Sequence, residues 1–189
     1  GDGLDNFPED QYQGPDWVID WWGSGQANSL DYGGNLEISP PVTVDGIAYP
    51  FGRIYYGGTS GYMPKQKTQN ALDAMQIQKP FLANSTWLCV GHIDEFTSTI
   101  PDSSAPKGFR FRIADTHAGW DVINKMDPAT ELPKWSGNSG HNIDTVGQIQ
   151  NDNALKSQNN EVQEILDDQL ELFKKELNLN EEDIIYIPS

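Results

Sequence analysis

Between residues 154 and 177, Val162, Ile165, Leu166, Leu170, Phe173 and Leu177 recur at three- and four-residue spacing, which lays one apolar stripe along a long amphipathic helix. Such a stripe must be covered by another element. Upstream, the run KGFRFRIA at 107–114 changes the period to two: Phe109, Phe111 and Ile113 alternate with Arg110 and Arg112, the pattern of a half-buried strand. The two arginines there are expected to be solvated or in salt bridges, with a grip on a carboxylate as the other use.

The rest of the chain divides along similar lines. PKQKTQNALDAMQIQ, 64–78, opens with a proline and sets Ala71, Leu72 and Met75 at helical spacing. NLEISPPVTVDGIAYPFGRIYYG yields two short strands, and Asp45-Gly46 between apolar stretches signals a hairpin turn. Residues 1–34 read as loop and short strand. In that region the aromatic run DWVIDWW at 16–22 supplies buried anchors or, less in keeping with an irregular segment, a sugar-stacking platform. Residues 126–153 are polar and read as a long surface connection or lid. The closing DIIYIPS reads as a strand leading into a loop. Both ends of the chain are expected to be cut points within a larger fold.

Chemistry concentrates in STWLCVGHIDEF, 85–96. Its β-branched and aromatic residues predict a strand. On a strand Val90, His92 and Asp94 share one face and Cys89 and Ile93 the other, so the thiol cannot reach the imidazole and Cys89 is expected to be a small buried hydrophobe. Gly91 leaves room for a ligand or a second backbone. His117 and His141 lie in polar or Gly-rich stretches without ligand spacing to His92, which disfavours a binuclear metal hydrolase. No G-x-S-x-G occurs, which removes the nucleophile-elbow hydrolases.

Charge narrows the partners. Twelve basic against 28 acidic residues give a net charge of −16, which argues against nucleic acid and anionic membranes and favours cationic substrates. No apolar run approaches the roughly 18 residues of a membrane span. A single cysteine rules out an internal disulfide framework. Asn84-Ser85-Thr86 fits the N-glycosylation pattern and points to an extracellular location, with the cytoplasm as the alternative.

Taken together, SLDYGGNLEISPPVTVDGIAYPFGRI, WLCVGHIDEF, KGFRFRIA and FKKELNLNEEDIIYIP resemble, in order and spacing, the catalytic domain of protein-arginine deiminases. The resemblance runs over nearly the whole chain, and NLEISPPV and VGHIDEF are its most specific pieces. Only about 115–155 is poorly matched. It implies an α/β fold, part of a pentein-type propeller of five pseudo-repeated units with mixed short sheets and helices. Residues 1–189 would be an internal segment of the catalytic domain.

By that resemblance His92 is the catalytic histidine, Asp94 one of two guanidinium-binding aspartates and Val90 a wall of the arginine slot. The activity implied is conversion of peptidyl-arginine to peptidyl-citrulline and ammonia. The resemblance also implies calcium, held by two backbone carbonyls and a carboxylate at Gly33, Leu36 and Glu37. The family's nucleophilic cysteine matches a position beyond Ser189, and its other guanidinium-binding aspartate one before Gly1. Cys89 stands where the family has a small polar residue. The expected partners are therefore other fragments of the same precursor, carrying the cysteine and second aspartate, and arginine-containing protein substrates. The alternatives are a non-catalytic arginine-binding module and a deiminase of free arginine or small guanidines.

Overall fold

The computed structural model describes residues 7–16, 28–133 and 143–189, and it is a mixed α/β arrangement of short sheets and helices. The aromatic run at 16–22, apart from Asp16, and His141 lie outside the described residues. After a five-residue helix α1, Phe7–Gln11, the chain enters two 3-10 turns, Ser29–Asp31 and Gly33–Asn35.

Four strands then follow where the sequence suggested two: β1 Leu36–Ile38, β2 Val42–Val44, β3 Ile47–Tyr49 and β4 Ile54–Gly57. β2 and β3 form the expected hairpin, with Asp45 at φ 51° and Gly46 at φ 79°. Positive φ at both central residues gives a turn whose twist matches that of the strands. Helix α2, Gln66–Ala74, lies inside the predicted 64–78 window and carries the chain across to β5, Phe81–Ala83. β4 pairs antiparallel with β1 and parallel with β5. A parallel pair requires such a crossover. One face of this sheet buries Ile54 and Tyr56 against Leu72 of α2.

The second sheet contains β6 Thr97–Pro101, β7 Phe109–Asp115 and β8 Ile184–Pro188, in the order β6-β7-β8. β7 is the predicted half-buried strand: Phe109, Phe111 and Ile113 are buried, and Arg110 and Arg112 face the other side. It pairs antiparallel with β6 and parallel with β8, the strand foreseen in DIIYIPS.

Between β7 and β8 run α3 Thr116–Lys125, α4 Val146–Gln150 and α5 Asn153–Leu177. The sequence reading assigned no element to 115–125; there the Asp115 side chain accepts from the Ala118 amide at 2.7 Å and caps α3. The described parts of the expected long connection at 126–153 contain regular structure. They include α4, and the two limbs are joined by bonds from Val146 N–H to Thr130 O at 3.0 Å and Gly147 N–H to Pro128 O at 2.9 Å. Helix α5 matches its predicted span. Asp152 caps its start, and Asn178, in the left-handed conformation at φ 52°, ends it.

The two sheets meet on α5. Phe173, fully buried, lies with its ring centroid 4.6 Å from Phe111 of β7, 5.2 Å from Tyr55 of β4 and 5.6 Å from Phe81 of β5. Arg53, also buried, locks the end of the helix to the first sheet. Its guanidinium sits over the Tyr49 and Phe81 rings at 5.0 and 4.9 Å. It donates to the Lys79 carbonyl at 3.0 Å, to the Glu176 carbonyl at 2.7 Å and to the Glu176 carboxylate at 2.6 Å. A cation at the last turn of a helix also meets the favourable end of the backbone dipole. Among the described residues no helix is long and apolar enough to cross a membrane.

Two outcomes follow for stability. Removing Arg53 strands the Glu176 carboxylate and two carbonyls, so Arg53→Ala should lose about 3 kcal/mol, read as a lower urea midpoint at unchanged m. Asp102 accepts from the Ser104 hydroxyl and amide and from Arg110 Nε, which together hold its carboxyl down at about 2. A depressed carboxyl stabilises the fold above its unfolded value of 3.8 and loses that contribution as pH falls towards its folded value. The stability gap between the protein and Asp102→Asn should therefore narrow between pH 3.8 and about 2 in acid titrations followed by circular dichroism.

Candidate active site

The segment 85–96 is not a strand. β5 ends at Ala83, and Asn84 Oδ1 then accepts from the Thr86 amide at 3.2 Å and hydroxyl at 3.1 Å, an Asx turn that diverts the chain. The Asn84 amide is held by Gln169 Oε1 of α5 at 2.7 Å. Ser85, fully buried, donates its hydroxyl to the Gly91 carbonyl, which closes the loop on itself. Gly91 adopts φ 85°, a conformation other residues enter only with strain. The chain then turns through a 3-10 segment, Ile93–Glu95, anchored by the buried Ile93.

This geometry corrects two expectations. Cys89 is exposed rather than buried, because the loop that carries it lies on the surface. Val90, His92 and Asp94 do not share a strand face. Val90 is half exposed, and its carbonyl accepts the Ser29 hydroxyl at 2.7 Å.

His92 and Asp94 nevertheless converge, brought together by the turn and by Gly34. A Cβ placed on Gly34 would lie 2.6 Å from His92 Nδ1 and 2.7 and 3.1 Å from the two Asp94 carboxylate oxygens. Gly34 is thus a position where the backbone passes directly under both groups. Its own place is fixed by the neighbouring Asn35, which is buried. Asn35 Nδ2 donates to the Leu30 and Gly57 carbonyls and Oδ1 accepts from the Gly57 amide, each at 2.9 Å. Asn35 satisfies three backbone groups that burial would otherwise leave unpaired. Gly57 has no alternative there, since a Cβ would lie 2.0 Å from Ser85 Oγ.

The imidazole is held at its far side. His92 Nε2 lies 2.7 Å from the Ser29 carbonyl oxygen, and the Tyr32 ring stands 6.5 Å away, tilted by 43°. The His92 amide donates to Glu95 Oε1 at 2.8 Å, closing the turn, and the ring faces the Glu95 amide without a well-formed hydrogen bond to it. Neither ring nitrogen is directed to the Cys89 thiol, in keeping with the expectation that the two do not form a dyad. His117 is remote, with Nε2 3.1 Å from Asn160 Oδ1.

Electrostatically the site is acidic. Glu37, half-buried on β1, has its carboxyl raised above the ordinary range, first by burial and then by the charge of Asp94, against a smaller opposing effect of the Ile38 amide. Gly33 lies in the adjoining 3-10 turn and Leu36 begins β1, so the three residues expected to hold calcium sit on one continuous stretch. Among the described residues no three His, Cys, Asp or Glu side chains gather as a metal cluster. Beside Asp94 a cavity of about 100 Å³ is lined by Glu95, Thr97, Ser98 and Arg112. The two arginines of β7 part company here: Arg110 pairs with Asp102 at 2.8 Å, while Arg112 borders that cavity.

A family model described as protein-arginine deiminase matches residues 1–189. The type-4 protein-arginine deiminase of Homo sapiens is 36% identical over 195 residues, covering 98% of this chain and 29% of the relative. The type-1 protein of Homo sapiens is 35% identical over 194 residues and the type-3 protein of Mus musculus 34% identical over 202, with the same coverage. The chain spans about 29% of the length of these curated relatives.

A methyl group at Gly34 should be enough to separate His92 from Asp94. Gly34→Ala is expected to destabilise the protein by about 1–3 kcal/mol, as overpacking does, and its crystal structure should show at least one of the two side chains displaced. An unmoved pair at unchanged stability would refute the close approach.

Proposed function

The chain belongs to the protein-arginine deiminase family, and from that membership we propose that it supplies part of an active site hydrolysing peptidyl-arginine to peptidyl-citrulline and ammonia. The observation that carries the reading is the convergence of His92 and Asp94 over Gly34. A carboxylate accepts two parallel N–H bonds from a guanidinium, so Asp94 would fix the flat group beside the imidazole. Val90 would border the slot that admits the arginine side chain. The acidic surroundings suit a cationic substrate.

In this reading a thiolate attacks the guanidinium carbon. Protonated His92 gives its proton to the departing nitrogen, ammonia leaves, and a thiouronium-type intermediate remains. The now neutral imidazole takes a proton from water as it attacks that carbon. The carbon–sulfur bond then breaks as the new hydroxyl gives its proton to solvent and becomes the urea carbonyl, freeing the thiolate and citrulline, and His92 is left protonated for the next cycle. Proton exchange falls to Nδ1, the ring nitrogen on the Asp94 side, because Nε2 is engaged by the Ser29 carbonyl.

The nucleophile and the second guanidinium-binding aspartate would come from outside these 189 residues, on a further segment of the polypeptide or a companion fragment. We read residues 1–189 as an internal segment of a catalytic domain with the five-unit α/β propeller architecture. Calcium would be held by the Gly33 and Leu36 carbonyls and the Glu37 carboxylate. The half-buried Glu37 carboxylate, its charged form disfavoured by burial and by the nearby Asp94, and the neighbouring backbone oxygens make a donor set suited to a hard cation. When bound there it would fix the shape of the turn that carries Gly34. The proposal includes an extracellular location, which rests on the sequon at Asn84.

Full-length protein incubated with an arginine peptide should release ammonia and citrulline in equal amounts. His92→Ala and Asp94→Asn should each lower kcat/KM by about 10³-fold or more, and Cys89→Ser should leave it within about 2-fold. Peptide-bound arginine should be processed faster than free arginine. Peptide binding without citrulline would instead identify an arginine-binding module, and loss of activity in folded Cys89→Ser would return the thiol to the reaction.

A further inference from the structure

We propose that Ser29 is a positioning residue for His92, and that it sets which ring nitrogen carries the proton in the neutral imidazole. This rests on the role given to His92 above. The Ser29 carbonyl oxygen lies 2.7 Å from His92 Nε2. A carbonyl can only accept, so Nε2 must carry hydrogen, and the lone pair of the neutral ring falls on Nδ1, above Gly34 and beside Asp94.

The Ser29 hydroxyl adds a second tie from the same residue. It donates to the Val90 carbonyl at 2.7 Å, so its oxygen lone pairs remain free to face Nε2, 3.5 Å away. One residue therefore fixes both the ring and the backbone two positions before it. The contact bridges 63 positions in sequence, which makes it a designed clasp between two separate loops rather than a local turn.

The turn holding Ser29 is itself rigidly set. Asn28 Oδ1 accepts from the Leu30 amide and Asp31 Oδ2 from the Asn28 amide, both at 2.9 Å, completing a capping box. Asn28 Nδ2 donates to the Met63 carbonyl at 2.8 Å. Asp31 Oδ1 accepts from the Lys65 amide at 2.7 Å and the Thr68 hydroxyl at 3.0 Å, which binds the turn to the start of α2. The carbonyl is thus aimed by five bonds that involve neither His92 nor Asp94. A preorganised acceptor of this kind keeps the acid/base atom in one orientation through both proton transfers.

The test uses full-length protein labelled with ¹⁵N-histidine, His92 being assigned with His92→Gln. Nitrogen chemical shifts above the ring's titration range should show a single Nε2–H tautomer in the protein and in Ser29→Ala, which keeps the main-chain carbonyl, and a mixture of tautomers in Asp31→Ala, which frees the turn that aims it. In turnover of an arginine peptide, Ser29→Ala should lower kcat about 10-fold with KM changed less than about 2-fold, and Ser29→Thr, which restores the hydroxyl, should recover most of the rate. An Nδ1–H tautomer in the unmutated protein overturns the proposal. So does Asp31→Ala with an unchanged tautomer, Ser29→Ala with an unchanged rate, or a rate loss in Ser29→Ala matched by an equal rise in KM. Were the unmutated protein to form no citrulline, the deiminase reading would fall, and the tautomer measurement would still decide the role of Ser29.

Discussion

The aromatic contacts of Phe173 hold the molecule together. A single ring on α5 touches Tyr55 and Phe81 of the first sheet and Phe111 of the second. Neither three-stranded sheet is large enough to bury both faces by itself, and the helix supplies the apolar surface that each lacks. Arg53 and Gln169 extend the same helix's reach to the strand ends and to the start of the loop carrying His92. The start of the loop that leads to His92 is therefore held, through Asn84, by α5.

From that frame the site is assembled by buried polar groups rather than by strand geometry. Asn35 ties the turn at Leu30 to Gly57 at the end of β4, and Ser85 bonds the Gly91 carbonyl in the loop. Two glycines remove the side chains that would block the approach: Gly57 beneath Ser85 and Gly34 beneath His92 and Asp94. Burial of this kind is intolerant of partial satisfaction, since each lost partner leaves an unpaired group in a low-dielectric setting. The acidic character of the site follows from the same tight assembly. Glu37 and Asp94 are close enough for one charge to disfavour the other.

Elements set by local periodicity were legible in the sequence. The stripe from Val162 to Leu177 gave α5, the alternation at 109–113 gave β7, and Asp45-Gly46 gave the hairpin. Where long-range contacts override local preference, local pattern does not determine the backbone. The segment 85–96 has strand-forming residues, yet Gly91 takes a positive φ and Ser29, 63 positions from His92, draws the ring to itself. The exposure of Cys89 follows from that turn and could not be seen in a period-two pattern. The missed helix at 116–125 did carry a local signal, an Asp before a helical run with Trp120 and Ile123 at three-residue spacing. His92 and Asp94 emerged as neighbours in both views, for different reasons: alternation in the sequence, convergence over a glycine in the fold.

The sharing of α5 has a genealogical side. The strands of the first sheet are encoded ahead of residue 84 and the helix that completes their core some 80 positions later, so the two travel separately in any exchange between related genes. A chimaera that joined the front of one relative to the rear of another would inherit Tyr55, Phe81 and Arg53 from one parent and Phe173, Glu176 and Gln169 from the other. Such a chimaera keeps this core packed only where both parents carry the same ring sizes and the same ion pair, so the front and rear of the chain are constrained together.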